Sequence, residues 1–347
     1  MPDTTTVQFR LAEYTDQQRI IDFINANFDW KLPLINRPEF FGYYYCGMRL
    51  QFVLAERGEE LLSVAGYILA NNSQTPDLWV SVWVAKKGEN GVGLELMDAI
   101  PRLTGARVVA CNNIRPKTCA FYRFLGWHAD RVPHYYRLAP RANAAAYKLC
   151  RPAVPAGMEA SAYQPEILPV HGDLTLDRVS TVPRLHGLGL PETSHTPRKD
   201  LSYLALRYFD CPFLRYDVWS VHENSKLLAY LVTRVVNSGE QGEIPVLRIV
   251  DYIGADAVLP RLGKAMDALL MQSGAEYADC YCAGIPAEIF AAAGFSERKE
   301  ADTTIIPNYL TPPLYENTDY YYFTNQPEDF VLFKADGDQD RPNLPAE

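Results

Sequence analysis

The sequence predicts an α+β protein built from two tandem units, each with one mixed β-sheet, in which the second unit is a degenerate copy of the first. In the first unit an apolar strand from Leu61 precedes a Gly-Ala turn, a strand that reaches Cys111, and a helix that ends at Gly126. The same order recurs from Leu227 to Gly294. The two Leu-to-Gly separations are 65 and 67 residues. Matched turn residues at matched spacing predict an internal duplication.

Chain length supports this division. A chain of 347 residues exceeds one typical core and predicts two domains of about 150 residues each. Apolar residues make up 48% and charged residues 22% of the chain, which is typical of a globular protein. We expect a first domain at 1–150, a proline-containing linker at 151–169, a second domain at 170–325 and a polar, acidic C-terminal segment at 326–347.

The first unit is predicted from its apolar periods and turn residues. Thr15 is a suitable helix cap, and Ile20, Ile24 and Phe28 recur at helical spacing after it. The turns at 57–59 and 71–73 suit antiparallel connections between strands. The expected elements are a strand at 7–11, a helix at 17–27, a helix or ordered loop at 33–48, strands at 52–56, 61–70 and 78–85, a helix at 91–103, a strand at 106–111, a helix at 118–125 and a strand at 135–138.

The second unit repeats this plan after a mainly helical stretch that extends to about residue 209. Its apolar runs and turns predict strands at 214–221, 227–236 and 246–253, a helix at 257–271, a strand at 277–282, a helix at 287–293 and strands at 304–306 and 320–324. The mixture of antiparallel hairpins with strand–helix–strand connections predicts mixed sheets.

Charge and cysteine usage exclude several classes of function. The net charge of −9 and pI of about 5.3 argue against a nucleic acid or an anionic membrane as partner. No leader peptide and no apolar run of roughly 20 residues is visible, which predicts a cytoplasmic protein without a membrane span. Seven cysteines, with Cys280 and Cys282 in a single C-x-C, predict buried thiols in a reducing compartment and no zinc site.

Other metal and hydrolase motifs are also missing. The six histidines form no zinc-protease motif, and no serine lies in G-x-S-x-G. Asp336, Asp338 and Asp340 have the alternate spacing of a calcium loop, but Arg341 stands where that loop requires glycine. We therefore predict no metal and expect the acidic segment to pack near the junction of the two units.

The loop 88–93, with the sequence Gly-Glu-Asn-Gly-Val-Gly, lies between an apolar strand and an apolar-striped helix. The start of a helix leaves backbone N–H groups unpaired and carries a partial positive charge, so it suits a phosphate. Glycines let the backbone approach a pyrophosphate without a Cβ clash. A purely structural glycine turn remains the alternative for this loop taken alone.

Residues 7–138 resemble the GNAT superfamily of coenzyme A-dependent N-acyltransferases. The glycine spacing of that superfamily matches Gly91 and Gly93, while its usual Gln or Arg is replaced by Gly88. The helix that ends in Tyr-x-x-x-Gly matches Tyr122 and Gly126 within FYRFLGW. The Asn often found seven positions before that Tyr is Arg115 here.

The resemblance implies acyl-coenzyme A as co-substrate and assigns roles to particular residues. The pyrophosphate would contact the helix-entry loop, and pantetheine would bind backbone groups of a strand that separates from its neighbour. Tyr122 would protonate the departing thiolate, as a phenol with a pKa near 10 can. The implied cofactor-binding residues are Trp83, Val84, Gly88, Asn90, Gly91, Val92, Gly93 and Asn112.

Acyl transfer to an amine also requires a base that collects one proton, directly or through water. His134 and Glu89 are the candidates near these motifs. A structural histidine and a solvated loop glutamate are the alternative interpretations.

The second unit resembles the same superfamily more distantly. Phe290 stands where Tyr122 stands, and the helix entry at 255–263 keeps one glycine, Gly263. The resemblance implies one active unit and one unit that shapes the acceptor site or stabilises the pair.

Two further segments narrow the acceptor by resemblance. Residues 210–216 and 332–343, together with the His-Tyr-Tyr at 134–136, are similar to segments of tandem GNAT proteins of bacterial surface-polysaccharide synthesis. That resemblance implies N-acylation of a nucleotide-linked, dTDP-type deoxyamino sugar, a role in O-antigen and lipopolysaccharide biosynthesis, and a homodimer as one arrangement. An acetyltransferase for another small amine (an amino acid, a polyamine or an aminoglycoside) and a non-catalytic binding protein are the alternatives.

Overall fold

The computed structural model describes residues 6–141, 147–150, 166–239, 241–299 and 304–342. Most of the predicted linker, at 151–165, and the last residues, 343–347, lie outside this description. Within the described residues the strands form two mixed sheets with helices packed on them. The predicted α+β class is confirmed.

The elements of the first half alternate between sheet and helix. The strands are β1 Gln8–Leu11, β2 Phe52–Arg57, β3 Glu60–Leu69, β4 Asp77–Ala85, β5 Val108–Ile114, β6 His128–Val132 and β7 His134–Leu138. The helices are α1 Gln17–Asn27, α2 Pro33–Asn36, α3 Pro38–Tyr45, α4 Val92–Thr104 and α5 Cys119–Phe124.

The second half follows a similar order. The strands are β8 Asp177–Val179, β9 Asp217–Glu223, β10 Lys226–Ser238, β11 Ile244–Gly254, β12 Tyr277–Ala283, β13 Ser296–Arg298, β14 Tyr320–Thr324 and β15 Leu332–Phe333. The helices are α6 Val182–Leu188, α7 Leu201–Leu204, α8 Gly263–Gln272 and α9 Ala287–Ala292, and a 3-10 turn at Asp256–Leu262 precedes α8.

The first sheet has the strand order β1-β2-β3-β4-β5-β14-β6. The strands β1 to β4 pair antiparallel in succession, and β4 pairs parallel with β5. β14, from near the end of the chain, lies between β5 and β6 and is antiparallel to both. The first sheet is therefore completed by a strand that follows it by nearly two hundred residues.

The second sheet has the order β13-β7-β12-β11-β10-β9-β8 and receives a strand in return. β7, from the first half, pairs antiparallel with β12 and β13. The predicted strands at 135–138 and 320–324 both exist, but the sequence pattern assigned each to its own half, and that assignment was wrong. The two halves exchange these strands. A short apolar strand fits the interior of either sheet, so its pattern does not identify its partners.

Helices cover both faces of the first sheet. α4 buries Leu96 and Ile100 against the strands on one face, and α1 buries Ile20 and Ile24 on the other. Complete burial of such a side chain stabilises the fold by about 1.5–3 kcal/mol. α4 ends where Gly105 takes a left-handed conformation, with φ of 70°.

Other details differ from the sequence predictions. The aromatic stretch at 33–48 forms two short helices, α2 and α3. The helix predicted at 257–271 is divided, because Pro260 lies in the 3-10 turn before α8. Residues 304–306 form no strand, and β6 lies where no strand was predicted.

The C-terminal segment, which we define as residues 326–342, packs against both sheets. Asp336 and Asp340 are almost completely buried, and cations neutralise them. Lys199 Nζ lies 2.7 Å from Asp336 Oδ1, and Arg234 Nη2 lies 2.7 Å from Asp340 Oδ1. These two carboxylates therefore belong to internal ion pairs. Throughout the described residues, no grouping of three or more His, Cys, Asp or Glu side chains could hold a metal ion.

Among the helices of the described residues, none is both long enough and apolar enough to cross a lipid bilayer.

Candidate functional site

β4 and β5 separate after a short parallel contact. They pair only over 77–79 and 108–110, although β4 continues to Ala85 and β5 to Ile114. The far edge of β5 is occupied by β14. A wedge therefore opens between 80–85 and 111–114, which we call the first gap.

Backbone alternation determines which groups of β4 point into the first gap. The carbonyl oxygen of Val84 accepts a hydrogen bond from Ser63 Oγ at 3.0 Å, so it points towards β3. Lys86 N also donates towards β3, to Leu62 O at 2.8 Å. Because the N–H and C=O of successive strand residues point to alternate edges, the backbone of Trp83 faces the gap. Of the two predicted pantetheine-binding residues, Trp83 presents its backbone to the gap and Val84 presents its backbone to β3.

The loop from β4 to α4 ends at the first gap and has two left-handed glycines. Gly88 has a φ of 93° and Gly91 a φ of 90°, conformations that favour glycine. Gly91 is the N-cap of α4, a 13-residue helix. The N–H groups of Val92 and Gly93 have no acceptor within the part of the chain that is described. The helix start therefore offers free donors and a partial positive charge, with the exposed Asn90 beside it.

Gly91 and Gly93 are required for different reasons. A Cβ on Gly93 would lie 3.0 Å from Ala85 Cβ and 3.0 Å from Trp83 Cζ2, so glycine lets α4 approach β4. A Cβ on Gly91 would meet only Glu95 Oε1, at 3.8 Å. The space next to Gly91, at the N-terminus of α4, is therefore open.

Glu89 holds the loop in place. Arg57 Nη1 and Nη2 donate to its two carboxylate oxygens at 3.1 Å each. The hydrogen bonds from Arg57 lower the pKa of Glu89, which makes its carboxylate a weaker base. The structure therefore gives Glu89 a structural partner at the loop, and we do not carry it forward as the base.

Tyr122 lies in an aromatic stack beside the first gap. Its ring is stacked on Phe323 with centroids 4.0 Å apart, and the ring of Trp83 is 6.2 Å away. Burial raises the pKa of Tyr122, so the phenol stays protonated at neutral pH. The buried Nε1 of Trp83 has no hydrogen-bond partner. Tyr122, Trp83 and the start of α4 are thus brought together as predicted neighbours.

Phe323 is a site residue that sequence reasoning missed. It belongs to β14 and enters the first sheet through the strand exchange. The pattern around it indicates a strand, but no local signal connects it to Tyr122.

His134 lies elsewhere, in the interior of the second sheet. It has no exposed surface, its Nε2 is 3.2 Å from Asp279 Oδ2, and its ring stacks on Tyr281 at 3.9 Å. Burial lowers its pKa to about 4. A substrate cannot reach this ring, so His134 has a structural role and is not carried forward as the base.

Asn112 anchors the C-terminal segment. It is buried on β5, and its Nδ2 donates to Phe333 O at 3.1 Å. The resemblance implied that Asn112 contacts the cofactor, but in the structure its side-chain amide is engaged with Phe333.

The second sheet contains the matching wedge, and the chain itself fills it. β11 and β12 pair only over 247–249 and 278–280 before they separate. Beyond that point β15 pairs with β12, and Ala335 N donates to Val250 O at 3.0 Å. We call this wedge the second gap. In the second gap, residues 332–335 lie at the place that corresponds to the unpaired edge of β4 in the first gap.

The helix entry of the second half is also closed. A Cβ on Gly263 would lie 2.7 Å from His171 O, so backbone covers the start of α8. Phe290 is buried and stacks on Tyr135 with centroids 3.9 Å apart, and its hydrocarbon ring has no hydroxyl that could donate a proton. The second half therefore lacks both features that make the first gap a candidate site.

Two of the cavities that border the C-terminal segment also contain residues of the first half. One, of about 410 Å³, is lined by residues that include Tyr44, Tyr203 and Gly337. The other, of about 430 Å³, includes Asn113 from the diverging part of β5. Neither is lined by the loop 88–93.

Comparison with solved structures identifies the fold. The chain is similar to a GCN5-related N-acetyltransferase from Anabaena variabilis ATCC 29413, with a TM-score of 0.52, 10% identity, and coverage of 92% of this chain and 72% of that one. It is similar to a protein of unknown function from Enterococcus faecalis V583, described as a probable N-acyltransferase, with a TM-score of 0.50, 12% identity and the same coverage. At these identities the likeness concerns the fold.

No protein-family model and no curated protein matches the sequence.

Proposed function

We propose that this protein is an N-acyltransferase that uses acyl-coenzyme A as co-substrate and binds it at the first gap. The observation that carries the proposal is the separation of β4 from β5 beside the free N-terminus of α4. An extended chain fits along the unpaired edge of β4, and a pyrophosphate fits the free N–H groups of Val92 and Gly93. The fold shared with solved N-acetyltransferases supports the same assignment.

The chemistry follows from the residues at the gap. The amine nitrogen attacks the thioester carbonyl, a C–N bond forms and the C–S bond breaks. The amine gives one proton to solvent water, and solvent restores the proton that Tyr122 loses. The backbone N–H of Trp83, which faces the gap, polarises the carbonyl oxygen. Tyr122, kept protonated by burial, gives its proton to the thiolate sulfur. Positioning at the gap accounts for much of the remaining rate acceleration.

The amine belongs, in this proposal, to a nucleotide-linked deoxyamino sugar of surface-polysaccharide synthesis. The acceptor was inferred from the sequence resemblance of residues 210–216 and 332–343, and the described parts of these two segments contact each other. Tyr216 Oη lies 3.0 Å from Asp340 Oδ2, and Leu214 and Arg341 line the same cavity. Their convergence supports a shared role. Another small amine is the second candidate, because the first gap suits any unhindered amine.

Titration calorimetry with coenzyme A tests the site. Gly91→Glu adds a carboxylate where the pyrophosphate is expected and should weaken binding by more than tenfold, which corresponds to about 1.4 kcal/mol or more. Gly91→Ala is the matched control. Alanine adds a Cβ at the same positive φ but carries no charge. It should retain most of the affinity that Gly91→Glu loses.

An unchanged affinity in folded Gly91→Glu would place the cofactor elsewhere and reject the proposal. The acceptor is tested separately, by measuring free thiol released from acetyl-coenzyme A with dTDP-amino sugars, polyamines, aminoglycosides and amino acids. Turnover with a polyamine but with no nucleotide sugar would keep the reaction class and reject the acceptor.

A further inference from the structure

The cavity of about 430 Å³ is rich in cations, and we call it the basic cavity. Arg234 on β10, Arg248 on β11, Lys334 after β15 and Arg341 of the C-terminal segment line it. Among the described lining residues, Asp340 is the one carboxylate. Carboxylates pair with the three arginines: Asp340 with Arg234, Asp279 with Arg248 and Asp338 with Arg341. The charge of Lys334 is left in excess, and an excess positive charge favours an anion.

The two arginines on the strands, Arg234 and Arg248, each keep one nitrogen without a hydrogen-bond partner in the part of the chain that the structure describes. Arg234 donates through Nε and Nη2 to Asp340 at 2.8 and 2.7 Å. Arg248 donates through Nε and Nη2 to Asp279 at 2.9 and 2.8 Å. In both side chains Nη1 has no acceptor among the described residues, and neither Nη1 is a fully buried atom. Each guanidinium is held rigidly by a carboxylate on one side and remains available on the other.

Lys334 has a charge that nothing nearby neutralises by direct contact. Its residue surface is 8% exposed, and its Nζ makes no hydrogen bond or ion pair with any part of the chain that is described. The rings of Tyr320 and Tyr281 lie 4.7 and 5.2 Å from Nζ. A buried ammonium without a counter-ion is unfavourable, so this arrangement lacks one partner. Burial, and then the charge of Arg248, lower the pKa of Lys334 to about 7.

We propose that the basic cavity binds a small organic oxyanion, a carboxylate or a phosphate group, through Lys334 Nζ and the free Nη1 groups of Arg234 and Arg248. Guanidinium groups bind such oxyanions with short, directional hydrogen bonds. Apolar lining from Leu214 and Leu310 and the ring of Tyr309 accommodate the uncharged part of the molecule. The proposal does not depend on acyl transfer, because it concerns binding at a cavity that the loop 88–93 does not line.

Amine labelling measures the site directly. Acetic anhydride modifies only the neutral amine, so Lys334, with its pKa lowered to about 7, should label readily at pH 7. An ordinary lysine, with a pKa near 10.4, labels slowly there. Bound oxyanion should raise the pKa of Lys334 and cover it. Mass spectrometry should then show at least tenfold slower labelling of Lys334 in inorganic phosphate or in acetate than in chloride of equal ionic strength, while labelling of exposed Lys226 stays constant.

Protection by phosphate alone would define a phosphate site, and protection by acetate alone a carboxylate site. The absence of protection by both anions would overturn the proposal.

A substitution gives the second measurement. Lys334→Met removes the charge without leaving a partner unpaired, so the variant should fold at least as well as the wild type. Its affinity for the protecting anion, measured by titration calorimetry, should fall at least tenfold, while Lys226→Met should change nothing. Wild-type affinity in Lys334→Met would overturn the proposal even if labelling were slowed. The measurements use no coenzyme A, so they are independent of the proposed acyl transfer.

Discussion

Tyr122 combines two properties at the residue scale. Its hydroxyl is kept protonated by burial, and its ring is fixed by Phe323. Tyr122→Phe removes only the hydroxyl, and a phenylalanine already occupies the matching position in the second half. We expect kcat to fall by roughly 10²–10⁴-fold, the range for loss of a positioned acid. The dissociation constant of coenzyme A should hardly move, because the interaction forms as the thiolate leaves.

A second buried tyrosine provides the control. Tyr252 donates its hydroxyl to Ala255 O at 2.7 Å in the second half. Tyr252→Phe should therefore cost about 1 kcal/mol of folding free energy and leave kcat unchanged. If Tyr122→Phe keeps more than half of wild-type kcat, and product release is shown not to limit the rate, Tyr122 packs the helix against the sheet and nothing more.

Single residues show where sequence reasoning succeeds. Gly91 could be predicted as the entry to α4, because a glycine before an apolar helical stripe is a local pattern. Asn112 could not be placed, because its partner Phe333 lies 221 residues away in sequence. Lys334 could not be placed, because Arg234 and Arg248 of the same cavity lie 100 and 86 residues away. His134 has the residue type of a base, but only the fold shows that it is buried against Asp279.

At the element scale, the difference between the two gaps determines how many molecules of coenzyme A we expect each chain to bind. The first gap keeps the edge of β4 unpaired beyond residue 79, and β15 with Ala335 occupies the second gap. Since pantetheine and residues 332–335 would need the same backbone groups, we expect one coenzyme A per chain in titration calorimetry. Two equivalent sites would show that β15 leaves the sheet when coenzyme A binds.

The gaps themselves had no sequence signature. Separation of two strands is a backbone property, and side chains along β4 alternate in the same way whether or not β5 stays paired. The glycine loop and most strands, taken in their order along the chain, could be predicted because turn residues and apolar periods are local patterns. The closure of the second gap depends on a two-residue strand, which is too short for any period to reveal.

At the scale of the whole molecule, the exchange of β7 and β14 joins the halves. Each sheet contains an internal strand from the other half, so neither sheet is complete without both. Thermal unfolding should therefore show one transition, with equal calorimetric and van't Hoff enthalpies. Tyr135→Ala, on β7, removes a buried ring stacked on Phe290 and should cost about 3–5 kcal/mol.

For Tyr135→Ala, the fluorescence of the tryptophans in the first half should show the same lowered midpoint of thermal unfolding as calorimetry. Two transitions, with only the later or the earlier one moved by Tyr135→Ala, would show that the halves unfold separately. The internal duplication in the sequence gives no sign of the strand exchange, because two similar halves predict two separate sheets.

The position of β14 has a consequence for how the protein is made. When the ribosome has finished β6, the slot between β5 and β6 is still empty, and it stays empty until residue 324 has been translated. During that interval Tyr122 lacks Phe323, and the inner edges of β5 and β6 expose unpaired backbone to solvent. At about 5–20 residues per second the nascent chain carries this open edge for tens of seconds. The proposed acyl-transfer site of the first half is thus complete only after β14 has left the ribosome.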